Sequence, residues 1–121
     1  MDKSSGNEGQ QGIIDTALDY YEGWFDGDAT RMKRALHPQL VKRALNNDAI
    51  ELDTAPEMID ATAAGIGRSR DPGDRQIKIR VDHIHGSIAT ATVTSAVYVD
   101  YLQLVKVENR WQILNALWAR A

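Results

Sequence analysis

Residues 77–118 carry the pattern that decides the fold: IKIRVDHIHGSIATATVTSAVYVDYLQLVKVENRWQILNALW. Apolar and polar side chains alternate along this stretch, and a period of two is typical of half-buried β-strands. Gly-Ser at 86–87 and Glu-Asn at 108–109 interrupt the alternation at positions that suit two-residue hairpin turns. The segment 88–107 is too long for one straight strand, so we expect a bulge or bend within it. The stretch therefore predicts an antiparallel meander.

The residues upstream follow a helical period instead. Apolar side chains recur on one face from residue 13 to residue 26, which predicts a first helix. Asp28 suits the cap of a second, short helix that Pro38 stops. Thr54 and Glu57 have the spacing of a capping box and predict the start of a third helix, with a short hairpin between the second and the third.

The order of elements predicts an α+β domain, with three helices packed on one face of a strongly curved antiparallel or mixed sheet. A chain of 121 residues fits one domain, which we place at residues 12–121. Residues 1–11 are rich in Gly, Ser, Gln and charge, so we expect them to form a flexible tail.

The composition excludes several classes of protein. A net charge of −3 gives no reason to expect nucleic acid or an anionic membrane as a partner. The absence of cysteine excludes disulfides and thiolate metal sites. No apolar run is long enough for a membrane span, and the first residues lack the apolar core of a signal peptide, so we expect a cytoplasmic protein.

Strand alternation brings several polar side chains to one face of the sheet. If the alternation continues through the long middle segment, Tyr98 and Asp100 share a face with His83. Counting back from the turn at 108–109 makes Asn115 a diagonal neighbour of Asp100. The sequence therefore predicts a polar cluster on the face that the helices cover.

The opposite face of the same strands is predicted to be apolar as well. Its residues would be Ala89, Ala91, Val93, Val97 and Val99. A sheet that is apolar on both faces must have both covered, and a second copy of the chain is the simplest cover. We therefore expect a homodimer formed through the sheet.

Asp100 is the acid with the clearest chemical interest, because it lies among apolar strand residues. A buried carboxylate must find partners or have its pKa raised. In a dry pocket it would serve as a general base. The alternative is a structural role, with Tyr98, Asn115 or a backbone N–H as its partner.

The three histidines and the aromatic residues of the first helix each allow two interpretations. His83 and His85 form an H-x-H pair, but no fixed carboxylate accompanies them and His37, so core and surface histidines are favoured over a metal site and no cofactor is expected. Of the aromatic residues, Tyr21 and Trp24 are spaced to face inward, where they would either fill the core or line a cavity.

Two segments carry a resemblance to a known family: YYEGWFDGDATRMKRALHPQLVKR at 20–43 and YVDYLQLVKVENRWQILNALW at 98–118. The chain resembles the putative lumazine-binding proteins of the SnoaL-like, nuclear transport factor 2-like superfamily. The resemblance implies a cone-shaped α+β barrel of the cystatin-like type, with a cavity between helices and sheet and with dimers through the sheet. The aromatic residues of the first helix and His37 would line or close that cone.

Relatives in this superfamily include isomerases, dehydratases and cyclases, and also binding and scaffold modules, so the fold leaves three hypotheses open. The first is a protein that binds a small, mostly apolar ring compound. The second is an enzyme of the isomerase, dehydratase or cyclase type, and the third is a dimerisation module without chemistry. The candidate ligand-binding residues are Tyr21, Trp24, His83, Tyr98 and Asn115, and the candidate catalytic residues are Asp100 and His37.

Overall fold

The computed structural model describes residues 3–68 and 71–121 of the chain. Within these residues lie three α-helices, one short 3₁₀ helix and six β-strands. The helices are α1 (Lys3–Asp26), α2 (Ala29–Ala35) and α3 (Ala55–Ala63), and the 3₁₀ helix is Pro72–Asp74. The strands are β1 (Leu36–Asn46), β2 (Ala49–Thr54), β3 (Lys78–His85), β4 (Ile88–Thr94), β5 (Tyr98–Val107) and β6 (Arg110–Arg120). No described helix combines the length and the apolar character needed to cross a membrane.

The six strands form one mixed sheet with the order β2-β1-β6-β5-β4-β3. β1 pairs with β6 in parallel, whereas the other neighbouring strands are antiparallel. Register shifts between β1 and β6, β3 and β4, and β5 and β6 are irregularities of the kind that curve a sheet. The sheet stays open between its edge strands β2 and β3. The predicted α+β class, with three helices on a mixed sheet, is confirmed.

The predicted turns and caps set the ends of most elements. The hairpin between β5 and β6 turns at Glu108 and Asn109, whose φ angles of 51° and 65° lie in the left-handed region. Asp28 accepts a hydrogen bond from the backbone N of Arg31 at 3.1 Å and caps α2. A capping box opens α3, as predicted, between Thr54 and Glu57. These local signals are satisfied by hydrogen bonds within a few residues, which is why the sequence reveals them.

The first helix begins earlier than the sequence predicts. α1 starts at Lys3, so the segment 3–11 continues the helix instead of forming a separate irregular tail, and residues 1 and 2 lie outside the described part of the chain. A Cβ added at Gly9 would lie 3.7 Å from Ile84, and one at Gly12 would lie 2.9 Å from Trp111. This part of α1 therefore packs against the sheet, and that contact supplies burial that the polar composition does not predict.

The core lies between the helices and the inner face of the sheet. In β5 this face carries Leu102 and Leu104, which are each 1% exposed. The other buried apolar side chains of the cluster are Ile13, Ala17, Tyr20, Tyr21, Phe25, Met32, Ala35, Leu36, Leu40, Ala55, Met58, Ala89, Ala91, Val93, Trp111, Ile113 and Ala116. All three helices contribute to this cluster, so one core holds the fold together.

The prediction of which residues face away from the helices is wrong for β4. Ala89, Ala91 and Val93 belong to the buried inner face. The chain reverses at 95–97, so β4 and β5 pair directly and Val93 lies opposite Asp100. Since cross-strand partners share a face, the alternation that the sequence predicts across this segment is broken.

Candidate functional site

Asp100 lies at the buried end of a cluster of polar and aromatic groups between α1 and the sheet. It is only 2% exposed. Its carboxylate accepts a hydrogen bond from the hydroxyl of Tyr21 at 2.5 Å and a second from the hydroxyl of Tyr20 at 3.3 Å. Strand β5 points Asp100 inward because it lies two residues from buried Leu102, and successive inner positions of a strand are two apart.

The two tyrosines and the carboxylate shift one another's protonation. Burial raises the pKa of Asp100, while the charge of Lys42 and the hydroxyls of Tyr21 and Tyr20 act in the opposite direction. Burial, and secondarily the charge of Asp100, raises the pKa of both tyrosines above the ordinary value. Both hydroxyls therefore remain protonated at neutral pH and act as donors. A carboxylate has more lone pairs than these two bonds use, so Asp100 can accept a further hydrogen bond.

Lys42 is a residue of the site that the sequence analysis missed. Its Nζ lies 5.1 Å from the ring centroid of Tyr20, 5.7 Å from that of Trp24 and 5.1 Å from that of Trp118. We call these three side chains the aromatic box. Burial lowers the pKa of Lys42, whereas the charges of Asp100 and Asp53 raise it.

A signal for Lys42 was present in the sequence. In β1 it lies two residues after Leu40 and two residues before Ala44, and both of these side chains are buried. Alternation therefore places the lysine on the inner face, where an amine is unusual and is often functional. The parallel pairing of β1 with β6 brings it to the aromatic box, and non-local pairing of that kind cannot be deduced from a single sequence.

The cluster lines a cavity of about 260 Å³. This is slightly smaller than the range of about 300 to 1,000 Å³ that is usual for ligand pockets, so the occupant must be small. The lining includes two acidic and two basic side chains, so its charges balance. The lining residues are Tyr20, Tyr21, Trp24, Lys42, Asp53, Met58, Ile66, Tyr98, Asp100, Trp118 and Arg120.

Four of the predicted site residues meet at this cavity. Tyr21 contacts Asp100 directly, and the indole Nε1 of Trp24 donates a hydrogen bond to the hydroxyl of Tyr98 at 3.1 Å. The ring of Tyr98 also meets Trp118 edge-on, with 5.4 Å between ring centroids. These contacts fix the aromatic walls relative to the carboxylate.

Three other predicted site residues lie elsewhere. His83 and Asn115 face away from the helices and line a second cavity of about 280 Å³ on the outer side of the sheet. His83 pairs with Thr90 and shares its face of the sheet. Because the chain reverses at 95–97, Thr90 lies on the outer face, whereas Asp100 lies on the inner face. Asn115 donates to Gln103 at 3.1 Å, and the two residues are cross-strand partners.

The displacement of Asn115 has a local cause. The count from the turn is correct as far as the pair Leu104 and Ile113, and the register then shifts by one residue, so Gln103 pairs with Asn115. Leu114 is the extra residue of this bulge in β6. A one-residue shift changes the face of every following side chain, so the predicted neighbour relation between Asn115 and Asp100 is wrong.

His37 also lies outside the cavity with Asp100. It is on β1, and its Nδ1 accepts a hydrogen bond from the backbone N of Gln39 at 3.0 Å. The cavity lining does not include it. The local turn at His37 therefore uses its imidazole, and His37 does not line the cavity that holds Asp100. Among the described residues, no group of three or more His, Asp or Glu side chains is placed to hold a metal ion.

Gly67 fixes the wall of the cavity next to Trp24. A Cβ added at Gly67 would lie 2.4 Å from the indole Nε1 of Trp24, which is too close for any real contact. We expect Gly67→Ala to displace the indole, to break its hydrogen bond to Tyr98, and to lower the free energy of unfolding by about 1 to 3 kcal/mol.

Chemical denaturation measures the effect of Gly67→Ala. Gly73→Ala is the matched control, because a Cβ there meets nothing within 4 Å. Equal stability of the two variants would show that the indole moves aside without cost.

Comparisons with known proteins agree with this architecture. A family model described as putative lumazine-binding matches residues 8–119. No curated protein matches the chain.

Solved structures of several bacterial proteins are similar to this chain. An NTF2-like protein of unknown function from Shewanella baltica has a TM-score of 0.76 and 20% sequence identity, with 94% of each chain covered. A second one from Silicibacter pomeroyi has a TM-score of 0.74 and 14% identity, with 100% of each chain covered. A protein from Nostoc punctiforme with a cystatin-like fold has a TM-score of 0.67 and 10% identity, with 93% of this chain and 90% of that chain covered. At these identities the likeness concerns the fold alone.

Proposed function

This chain belongs to the putative lumazine-binding family, and from that premise we propose that its inner cavity binds a small ring compound with one polar edge. The predicted resemblance to this family is confirmed by the match over residues 8–119. The observation that carries the proposal is that one cavity with aromatic walls holds both a hydrogen-bond acceptor and a hydrogen-bond donor. Asp100 supplies the acceptor, and Lys42 supplies the donor.

The walls and the polar groups define what fits. A flat ring would pack against Trp118 and Tyr98, whose rings face the cavity. An N–H or O–H on the edge of the ring would donate to Asp100, and a neighbouring carbonyl oxygen would accept from Lys42. Hydrogen bonds to charged groups contribute about 1.5 to 3 kcal/mol each, so this edge sets the specificity, while burial of the ring supplies the remaining affinity.

Titration with two flat bicyclic probes tests the proposal. Lumazine carries N–H groups beside carbonyl oxygens, whereas naphthalene has a ring system of similar size without a polar edge. We expect the protein to bind lumazine at least about tenfold more tightly than naphthalene, because one charged hydrogen bond contributes more than the 1.4 kcal/mol that a factor of ten requires. Isothermal titration calorimetry measures both affinities, and native mass spectrometry identifies any compound that co-purifies.

Variants locate the binding. Lys42→Met and Asp100→Asn should each weaken lumazine binding at least about tenfold. His83→Ala is the matched control, because His83 lies in the outer cavity, and it should leave the affinity unchanged. The proposal would be contradicted if His83→Ala lost as much affinity as the other two variants. It would also be contradicted if neither probe bound with a dissociation constant below about 1 mM.

An enzymatic function is the second candidate, and the environment of Asp100 favours it. Burial raises the pKa of this carboxyl, as a general base at neutral pH requires, and Tyr21 or Lys42 would stabilise a developing oxyanion. His37 has no part in this version, because it lies outside the cavity. Exchange of the α-protons of a bound cyclic ketone for deuterium, followed by NMR and lost in Asp100→Asn, is the result that would favour an isomerase type of chemistry.

A homodimer through the outer face of the sheet remains our proposal for its assembly. Tyr101 and Leu117 are cross-strand partners on this face, and they are 58% and 51% exposed. Ile88 lies on the same face and is 57% exposed. Exposed apolar side chains grouped in this way are typical of an interface.

Introduction of negative charge on this surface tests the dimer. We expect wild-type protein to sediment as a dimer and the double variant Tyr101→Glu, Leu117→Glu to sediment as a monomer, because two carboxylates from each copy would be buried without partners. Lys106→Glu is the control that should leave the dimer intact, because position 106 lies on the opposite face of β5 from Tyr101. Wild-type protein that sediments as a monomer at micromolar concentration would contradict this proposal.

The cytoplasmic location and the absence of nucleic-acid or membrane partners stay predictions.

A further inference from the structure

We propose that Lys42 is a reactive amine that forms a reversible imine with an aldehyde or ketone held in the cavity. The inference rests on the proposed function in one respect, namely that the cavity admits a small ring compound. It adds a covalent step and thereby names a chemical class of ligand, the carbonyl compounds.

The position of the amine carries the inference. Nζ of Lys42 lies beside the three rings of the aromatic box, and all four side chains line the same cavity. Within the described parts of the chain, Lys42 makes no ion pair. The side chain is partly buried, whereas Lys33, Lys78 and Lys106 are exposed. Lys42 is thus an amine that faces a cavity of about 260 Å³ between aromatic walls.

The surroundings of Lys42 influence how much of the amine is neutral. Burial lowers its pKa, while the carboxylates of Asp53 on β2 and Asp100 on β5 raise it. Arg120 on β6 lines the same cavity as a second cation, and Tyr20 presents its ring from α1. Each unit by which the pKa of a lysine falls raises its neutral, nucleophilic fraction about tenfold.

The chemical step balances without any further reagent. The lone pair of the neutral amine attacks the carbonyl carbon, a C–N bond forms, and the carbonyl oxygen takes a proton to give a carbinolamine. That proton replaces the one that the nitrogen gives up. The hydroxyl then takes a second proton and leaves as water, and the nitrogen loses its remaining proton in exchange. The sum is one carbonyl compound and one amine giving one imine and one water, with no change in oxidation state. Asp100, whose pKa is raised by burial, lines the same cavity and can accept and return the proton.

Reductive trapping tests the inference. The protein is incubated with benzaldehyde and sodium cyanoborohydride, which reduces an iminium ion to a stable benzyl amine, and the labelled lysines are identified by peptide mass spectrometry. We expect Lys42 to carry at least about tenfold more label than Lys33, Lys78 or Lys106 at pH 7. Lys42→Arg keeps the positive charge in the aromatic box and should lose this label, and Lys106→Arg should keep it.

Benzyl alcohol separates this inference from the proposed function, because it fits the same space and forms no imine. Calorimetry with benzyl alcohol reports binding alone, and trapping with benzaldehyde reports the covalent step. Binding of benzyl alcohol together with even labelling of all lysines would overturn the imine and leave the binding proposal standing. Absence of both would overturn both. Labelling of Lys42 that benzyl alcohol suppresses is the result that we expect.

Discussion

Replacement of Asp100 with alanine is expected to lower the free energy of unfolding by about 2 to 4 kcal/mol. The substitution leaves the hydroxyls of Tyr20 and Tyr21 without the acceptor that both now share, and both side chains are 3% exposed. A buried donor without a partner costs about 1 to 3 kcal/mol. The substitution of Asp100 also removes the carboxylate whose charge favours the cationic form of Lys42.

Chemical denaturation of matched variants measures this effect. Asp82→Ala is the control, because Asp82 accepts two hydrogen bonds on the exposed side of the sheet and should cost less than about 1 kcal/mol. Tyr21→Phe alone and together with Asp100→Ala completes a double-mutant cycle. Simple additivity of these two substitutions would show that the short contact between Tyr21 and Asp100 contributes nothing to stability.

Comparison of wild type with Asp100→Asn reports on the protonation of Asp100. Its folded-state pKa lies above the ordinary value of 3.8, so its protonation contributes stability that is full below about pH 3.8 and is lost as the pH rises through the folded pKa. The difference in the free energy of unfolding between wild type and Asp100→Asn should therefore favour wild type more strongly in acid than at neutral pH. A difference that does not change with pH would mean that burial leaves the pKa of this carboxyl where it is in the unfolded chain.

Truncation of Leu102 to alanine is expected to cost about 2 to 5 kcal/mol. Leu102 is 1% exposed, and it lies between Ala91 of β4 and Ala116 of β6. These two neighbours are too small to fill the space that the leucine would leave, so the cavity would persist. Thermal and chemical unfolding both measure the loss.

Gln103→Ala is the matched control for this truncation. Gln103 is the next residue of the same strand, but its side chain is exposed. Its amide oxygen accepts a hydrogen bond from Asn115. We expect a change within about 0.5 kcal/mol. A loss below about 1 kcal/mol for Leu102→Ala would show that the sheet collapses around the gap and that this part of the core is loosely packed.

The sequence predicts well those features that are decided within a few residues. Asp28 caps α2, and Thr54 with Glu57 opens α3, because each cap is a hydrogen bond between near neighbours. The turn at 108–109 sets the pairing of β5 with β6 as far as Leu104 and Ile113 for the same reason. The three helices, the meander and the α+β class follow from such local signals.

The sequence predicts poorly what depends on a bulge or on distant pairing. Leu114 shifts the register of β6 and moves Asn115 to the outer face, and the reversal at 95–97 does the same for His83. Neither place carries a glycine or proline that would mark it. Lys42 enters the site because β1 lies beside β6 in parallel, a pairing that no local pattern announces. The sequence analysis therefore named some residues of the cavity lining on α1 and β5. It missed others, among them all three aromatic neighbours of Lys42 except Trp24, and Lys42 itself.

The position of β6 in the sheet has a consequence for how the molecule assembles. β6 is the last of the six strands along the chain, yet it lies between β1 and β5 and alone joins the early hairpin to the meander. During synthesis on the ribosome, the hairpin of β1 and β2 must wait with an unpaired edge until the residues of β6 have left the exit tunnel. Pairing over so long a separation in sequence slows folding, so the nascent chain passes through a period in which a chaperone or another nascent copy can occupy that edge.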